Sequence, residues 1–219
     1  MTDAITHPSM MSVSIVMFDY GGVISYPQPE HALGALADAA GTTVPEFRNA
    51  YWPQRVAYDA AELDATAFWL GVGAHLEHTF SDAVIADLVR LDVASWLHLQ
   101  PGTIRLIEDL AALGQRLVLL SNAPLEMADA VSALPLAQHF NDLLFSCHLR
   151  AVKPDEACFA AALDRLDARA GEVAFIDDSE DNVAAAGRLG IHSLTFAGPD
   201  SARAWLARTC SVQDRPGSR

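Results

Sequence analysis

Five short apolar runs constrain this chain more than any other feature: Val13–Phe18, Arg116–Leu120, Asp142–Phe145, Val173–Ile176 and His192–Phe196. Most are unbroken rather than alternating, which is the pattern of strands buried on both faces of a parallel sheet. Helical spacing fills the intervals at residues 102–113, 154–166 and 182–189. In the first of these, Ile104, Ile107, Leu110 and Ala111 share a face and Gly114 supplies a stop. The alternation predicts a doubly wound α/β core.

One interval breaks the rhythm. About 95 residues separate the first run from the second, far more than a crossover needs. They read as helices over about 30–40, 44–60, 64–79 and 81–97. The expectation is a helical cap, 27–98, inserted in a core made of 11–26 and 99–210, with flexible termini at 1–10 and 211–219.

Charge narrows the partners. Fourteen basic against 28 acidic residues give a net charge of −14, a field that repels nucleic acid and anionic membrane. An anionic substrate would need a local device, such as a metal ion and a few aimed donors. Cys147, Cys158 and Cys210 are odd in number and widely spaced, without a CxxC, which fits a reducing cytoplasm better than a disulfide framework or a zinc site. No basic region precedes the first apolar run, so no signal peptide is expected, and no stretch approaches a membrane span.

In open α/β sheets ligands bind beyond the carboxyl ends of the strands. Reading those ends gives Asp19 after the first strand, Ser121 and Asn122 after the second, and Asp177 and Asp178 after the fourth. Lys153 stands before Pro154 at the start of the helix that follows the third. Each has an ordinary reading as a turn, a cap or a surface lysine. Together they bring a nucleophile, a hydroxyl donor, a cation and metal ligands to one edge. Paired carboxylates suit Mg²⁺, which takes one or two of them and leaves room for phosphate oxygens. A lysine at a helix start favours an anion.

At this point the chain resembles the haloacid dehalogenase (HAD) superfamily, subfamily I with a helical C1-type cap. The matching strings are IVMFDYGGVI, LVLLSNA, AVKPDEACF and VAFIDDSEDNVAAAGRLG. The resemblance implies a Rossmann-like sheet in the order 3-2-1-4-5 and a Mg²⁺-dependent phosphatase acting on a small phosphorylated metabolite. Asp19 would be the nucleophile that forms a phospho-aspartyl intermediate. Ser121 and Asn122 would hold the phosphoryl group, and Lys153 would neutralise charge. Asp178, the Asp19 carboxylate and the Gly21 carbonyl would ligate the metal, with Asp177 either supporting those ligands from behind or replacing one of them.

One position departs from the family pattern. Most phosphatases of this superfamily carry a second Asp two residues after the nucleophile, where this chain has Gly21. That Asp handles the leaving-group proton, a contribution of about 10²–10⁴-fold. A branch with FDxG at this place includes sugar-phosphate phosphatases, which makes a substrate with a good leaving group, such as a sugar 1-phosphate, the leading expectation. The alternatives are a phosphate-binding protein with little or no catalysis and, against the retained acidic pair, a 2-haloacid dehalogenase. In the cap, Trp52, Arg55, Tyr58 and Asp59 could share a helical face. Arg55 would then either grip a second anionic group or a sugar hydroxyl, or pair with an acid.

Overall fold

The computed structural model describes residues 13–210. The termini expected to be flexible, 1–10 and 211–219, lie outside the described residues. Five parallel strands, β1 (Ile15–Phe18), β2 (Arg116–Ser121), β3 (Asp142–Phe145), β4 (Val173–Asp177) and β5 (His192–Thr195), form one sheet in the order β3-β2-β1-β4-β5. The fold class and strand order are those read from the sequence.

The unbroken apolar runs have a direct physical outcome. Successive side chains of a strand point to opposite faces, and both faces here are covered. Val16, Phe18, Leu117, Leu119, Ala174 and Ile176 belong to one buried cluster. Their neighbours Ile15, Met17, Val118, Leu120, Val173 and Phe175 belong to another. The first is closed by α6 (Pro101–Ala112), α7 (Leu125–Ser132) and α11 (Pro199–Thr209). The second is closed by α9 (Glu156–Leu166) and α10 (Glu180–Arg188).

The long interval is helical throughout. It holds α1 (Glu30–Ala40), α2 (Val44–Tyr51), α3 (Arg55–Asp59), α4 (Ala65–His75) and α5 (Asp82–Ser95). These helices bury a cluster of their own around Phe47, Tyr51, Phe68, Trp69 and Leu88. The continuous helix expected over 44–60 is interrupted. Residues Trp52–Gln54 form a 3₁₀ turn, because Pro53 has no N–H to donate into the helical ladder. That break divides the expected face. Trp52 is 48% exposed, whereas Arg55, Tyr58 and Asp59 are buried.

Three further helices escaped the pattern reading: α7, the single turn α8 (Ser146–Leu149), and α11. The first two are eight and four residues long, too short to show a clear period. The helix expected from residue 154 begins at Glu156, with Pro154 in the preceding turn, where Asp155 N–H donates to the Val152 carbonyl at 2.9 Å.

The helical layer is tied inward by a charged network. Arg55 donates to Asp59 at 2.7 Å and to Asp92 at 3.0 Å, and also to the Tyr51 hydroxyl. Tyr51 donates to Asp92 at 2.7 Å. Burial opposes the charged guanidinium, but Asp92 and Asp59 outweigh it and hold its pKa above the ordinary value. Removing one member of a buried ionic group strands the others. Asp92→Ala is therefore expected to cost about 3–5 kcal/mol of unfolding free energy, measured by urea denaturation, with Asp92→Asn costing less.

Candidate active site

β1, β2 and β4 end side by side, so the residues that follow them meet at one edge of the sheet. Asp19 continues β1, its N–H donating to the Ile176 carbonyl at 2.9 Å. Its carboxylate lies 2.7 Å from the Lys153 ammonium, which lies 2.6 Å from Asp177 on its other side. Asp19, Asp177 and Asp178 each offer an oxygen within 4.8 Å of the others. The residues selected by position in the sequence are thus brought together, although 134 positions separate Asp19 from Lys153.

Electrostatics follow from burial. Burial, with Asp177 adding to it, raises the Asp19 pKa to about 7 against the downward pull of Lys153. Burial would lower the Lys153 pKa, but Asp19 and Asp177 together keep it above its ordinary value. Asp178 is raised by burial and then by Asp177. Carboxylates crowded in this way favour a shared cation.

The two adjacent acids are used differently. Both oxygens of Asp177 accept hydrogen bonds: from Lys153 at 2.6 Å, from Ser179 N–H at 2.8 Å and from the Asn182 amide at 3.0 Å. The Asp178 carboxylate lies over Gly22, whose φ is +73°, and a Cβ there would come within 2.1 Å of an Asp178 oxygen. A bare backbone lets that carboxylate approach the loop that follows Asp19. An all-oxygen donor set of this kind suits Mg²⁺; Asp178 and Asp19 could offer it oxygens, while Asp177 is committed to Lys153 and Asn182.

Lys153 is held by its main chain. The Asn122 amide donates to the Lys153 carbonyl and accepts from the Lys153 N–H, both at 2.8 Å. Asn122, expected beside the phosphate, therefore spends two of its hydrogen bonds on aiming the lysine. Ser121 makes only a long contact of 3.4 Å to the Asn122 carbonyl, leaving its hydroxyl able to turn. Asn182 carries no signal in the sequence as a partner of Asp177; its place five residues beyond, within the string DDSEDN, is the one local feature that relates the two.

A cavity of about 370 Å³ opens above this cluster, lined by Asp19, Ser121, Lys153 and Asp178 below and by Trp52, Arg55 and Trp96 from the helical layer. A larger hollow of about 690 Å³ lies elsewhere, among Asp38, Glu46, His75 and His78. It contains none of the strand-end residues. We take the smaller cavity as the site because the convergent groups are there. Of the candidate cap residues, Trp52 and Arg55 line it, while Tyr58 donates instead to Glu126 at 2.8 Å. Arg55 reaches the cavity already paired with Asp59 and Asp92. Trp96 had no sequence signal as a site residue; its ring comes within 3.3 Å of where a Cβ on Gly21 would stand.

Replacing Gly22 with Ala would place a methyl group on the Asp178 carboxylate at a left-handed φ. The expected loss is about 1–2 kcal/mol from the backbone alone, read as a fall in the urea midpoint.

Comparison with known proteins agrees with this architecture. Residues 13–190 match the family described as haloacid dehalogenase-like hydrolase. A phosphoglycolate phosphatase of Rhodospirillum rubrum is 30% identical over 188 residues, covering 80% of this chain and 76% of that one. A HAD family enzyme of Bacteroides thetaiotaomicron, solved with magnesium and inorganic phosphate, superposes with a TM-score of 0.68 at 20% identity, covering 85% of this chain and 95% of that one. A predicted HAD-like hydrolase of Porphyromonas gingivalis gives 0.74 at 21% identity, covering 92% and 100%. The chain belongs to the haloacid dehalogenase-like hydrolase family.

Proposed function

We propose that the chain is a Mg²⁺-dependent phosphatase of small phosphorylated metabolites, working through a phospho-aspartyl intermediate on Asp19. The observation that carries this reading is the Asp19–Lys153–Asp177 array with Asp178 beside it. A displacement at a carbon–halogen bond has no need of that acidic set, whereas a phosphoryl group does, since its own charge must be offset. The helical layer over residues 27–98 would act as the cap, in keeping with subfamily I and a C1-type insertion. Sugar 1-phosphates of the FDxG branch are the leading substrates.

When bound between Asp19, Asp178 and the Gly21 carbonyl, Mg²⁺ would supply positive charge against the phosphate oxygens. Asp19 attacks phosphorus with one carboxylate oxygen, and the ester oxygen departs with the bonding pair. Lys153 offsets charge on the nucleophile and on the phosphoryl group. Ser121 turns its hydroxyl to a phosphate oxygen, and Asn122 keeps Lys153 aimed. Water then cleaves the acyl phosphate and restores Asp19. Without a carboxyl group at position 21, the departing oxygen leaves unprotonated by that route. This favours weakly basic leaving groups, such as an anomeric or acyl oxygen.

Asp19→Asn should retain the fold by circular dichroism and lose at least about 10³-fold in phosphate release. EDTA should abolish turnover, and added Mg²⁺ should restore it and raise the melting temperature. A protein that binds phosphate esters and melts higher with them, yet releases none from any ester in the presence of Mg²⁺, would instead be a binding protein. Halide release from 2-haloacids in EDTA would make it a dehalogenase. Gly21→Asp should accelerate the reaction by less than the usual general-acid contribution of about 10²–10⁴-fold, because its Cβ would stand 3.3 Å from the Trp96 ring, which must give before the side chain settles.

A further inference from the structure

Resting on the phosphatase reading, we propose that the site selects phosphates whose leaving group carries no second negative charge and presents a flat or apolar face. The argument starts from the cavity wall. Beyond the strand-end cluster it is made of Pro27, Trp52, Val56, Asp59, Trp96 and Met127. The only basic side chains among the described lining residues are Arg55 and Lys153.

Neither is free. Lys153 sits between Asp19 and Asp177, and Arg55 between Asp59 and Asp92. Formal charges make the deficit explicit. Lys153 with Asp19, Asp177 and Asp178 sums to 1 − 3 = −2. Arg55 with Asp59 and Asp92 sums to 1 − 2 = −1. A divalent cation and a phosphate dianion entering together add nothing to either sum. A second anionic group on the substrate would therefore approach the Asp59 carboxylate in a trio whose net charge is already −1. Arg55 gives Nε to Asp59 and Nη1 to Asp92 and Tyr51, so it could offer such a group Nη2 alone, with its charge already outnumbered by two buried carboxylates.

What the wall does offer is surface for an uncharged group. The Trp96 ring stands beside the nucleophile loop, 3.3 Å from the would-be Cβ of Gly21. Trp52 is half exposed on the rim. An indole face accepts an aryl ring or the apolar face of a pyranose by stacking. The cavity volume of about 370 Å³ suits one such small molecule. The R. rubrum relative is a phosphoglycolate phosphatase, and phosphoglycolate carries a carboxylate besides its phosphate. Likeness in sequence and selection by charge thus point to different substrates.

Matched pairs test this. With Mg²⁺, kcat/KM should be at least about tenfold higher for phenyl phosphate than for 4-carboxyphenyl phosphate, and for glucose 1-phosphate than for glucose 1,6-bisphosphate. In Asp19→Asn, calorimetry should show the same order of affinities for each pair without turnover. Asp59→Asn should narrow the ratio by improving the doubly anionic partner of each pair. Equal or better turnover of the doubly anionic esters, or of phosphoglycolate over glucose 1-phosphate, would overturn the inference while leaving a phosphatase. No release from any ester would sink the phosphatase reading, and this inference with it. Should Asp59→Asn fail to fold, the wild-type ratios and the calorimetry decide the matter alone.

Discussion

Lys153 is buried, and its ammonium reaches a carboxylate on each side, at 2.7 Å from Asp19 and 2.6 Å from Asp177. Such an array exists only because a parallel sheet brings the ends of β1 and β4 together and points both outward at the same edge. The cation keeps the acids close, and the acids keep the cation charged where burial would otherwise discharge it. Asn122 then fixes the lysine main chain with two hydrogen bonds from the end of β2, so three strands hold one ammonium in place. The apolar layers on both sheet faces provide the rigidity that this precision requires.

A second trio repeats the principle in the helical layer. Arg55, Asp59 and Asp92 are buried together, joined to Tyr51. The two groups communicate through the main chain. Ser146 on α8 donates to the Asp59 carbonyl at 2.6 Å and accepts from Ala123 N–H at 2.9 Å, one residue beyond Asn122. The element that carries Asp59 to the cavity is thereby fastened to the turn that carries the strand-end cluster. The helical layer and the strand ends are thus anchored to each other by a short polar chain, which limits how far the helices can shift independently of the sheet.

Legibility in the sequence followed the range of the interactions. Asp19, Ser121, Asn122, Asp177 and Asp178 were found by position, because the end of a buried strand is a local signal and the sheet rule does the rest. Arg55 was visible as a candidate with Asp59 four residues on, but its second partner was not. Asp92 lies 37 residues away, and nothing local marks it as the second acid. Trp96 was hidden for the same reason, since its value lies in packing against Gly21 across the insertion. The break at Trp52–Gln54 had a local cause in Pro53 that helical periodicity over 44–60 masked. The single turn α8 was invisible, having too few residues to show a period, yet its Ser146 is one of the links between the layers.

Gly21 gains its meaning from the same long-range packing. From the sequence it is a missing acid: a nucleophile loop without its proton-handling partner. In the structure the edge of the Trp96 indole stands 3.3 Å from where a Cβ at this position would lie. A side chain restored at position 21 would therefore need that indole to give way, so the loop and the wall are coupled at this contact. If the chain works as the proposed phosphatase, a glycine here leaves the departing oxygen without a carboxyl neighbour, and the indole beside it offers apolar surface instead. Both features would then favour the same molecules, those whose leaving group is a weak base and whose body is uncharged. One contact between a glycine and a tryptophan would in that case bear on chemistry and recognition together.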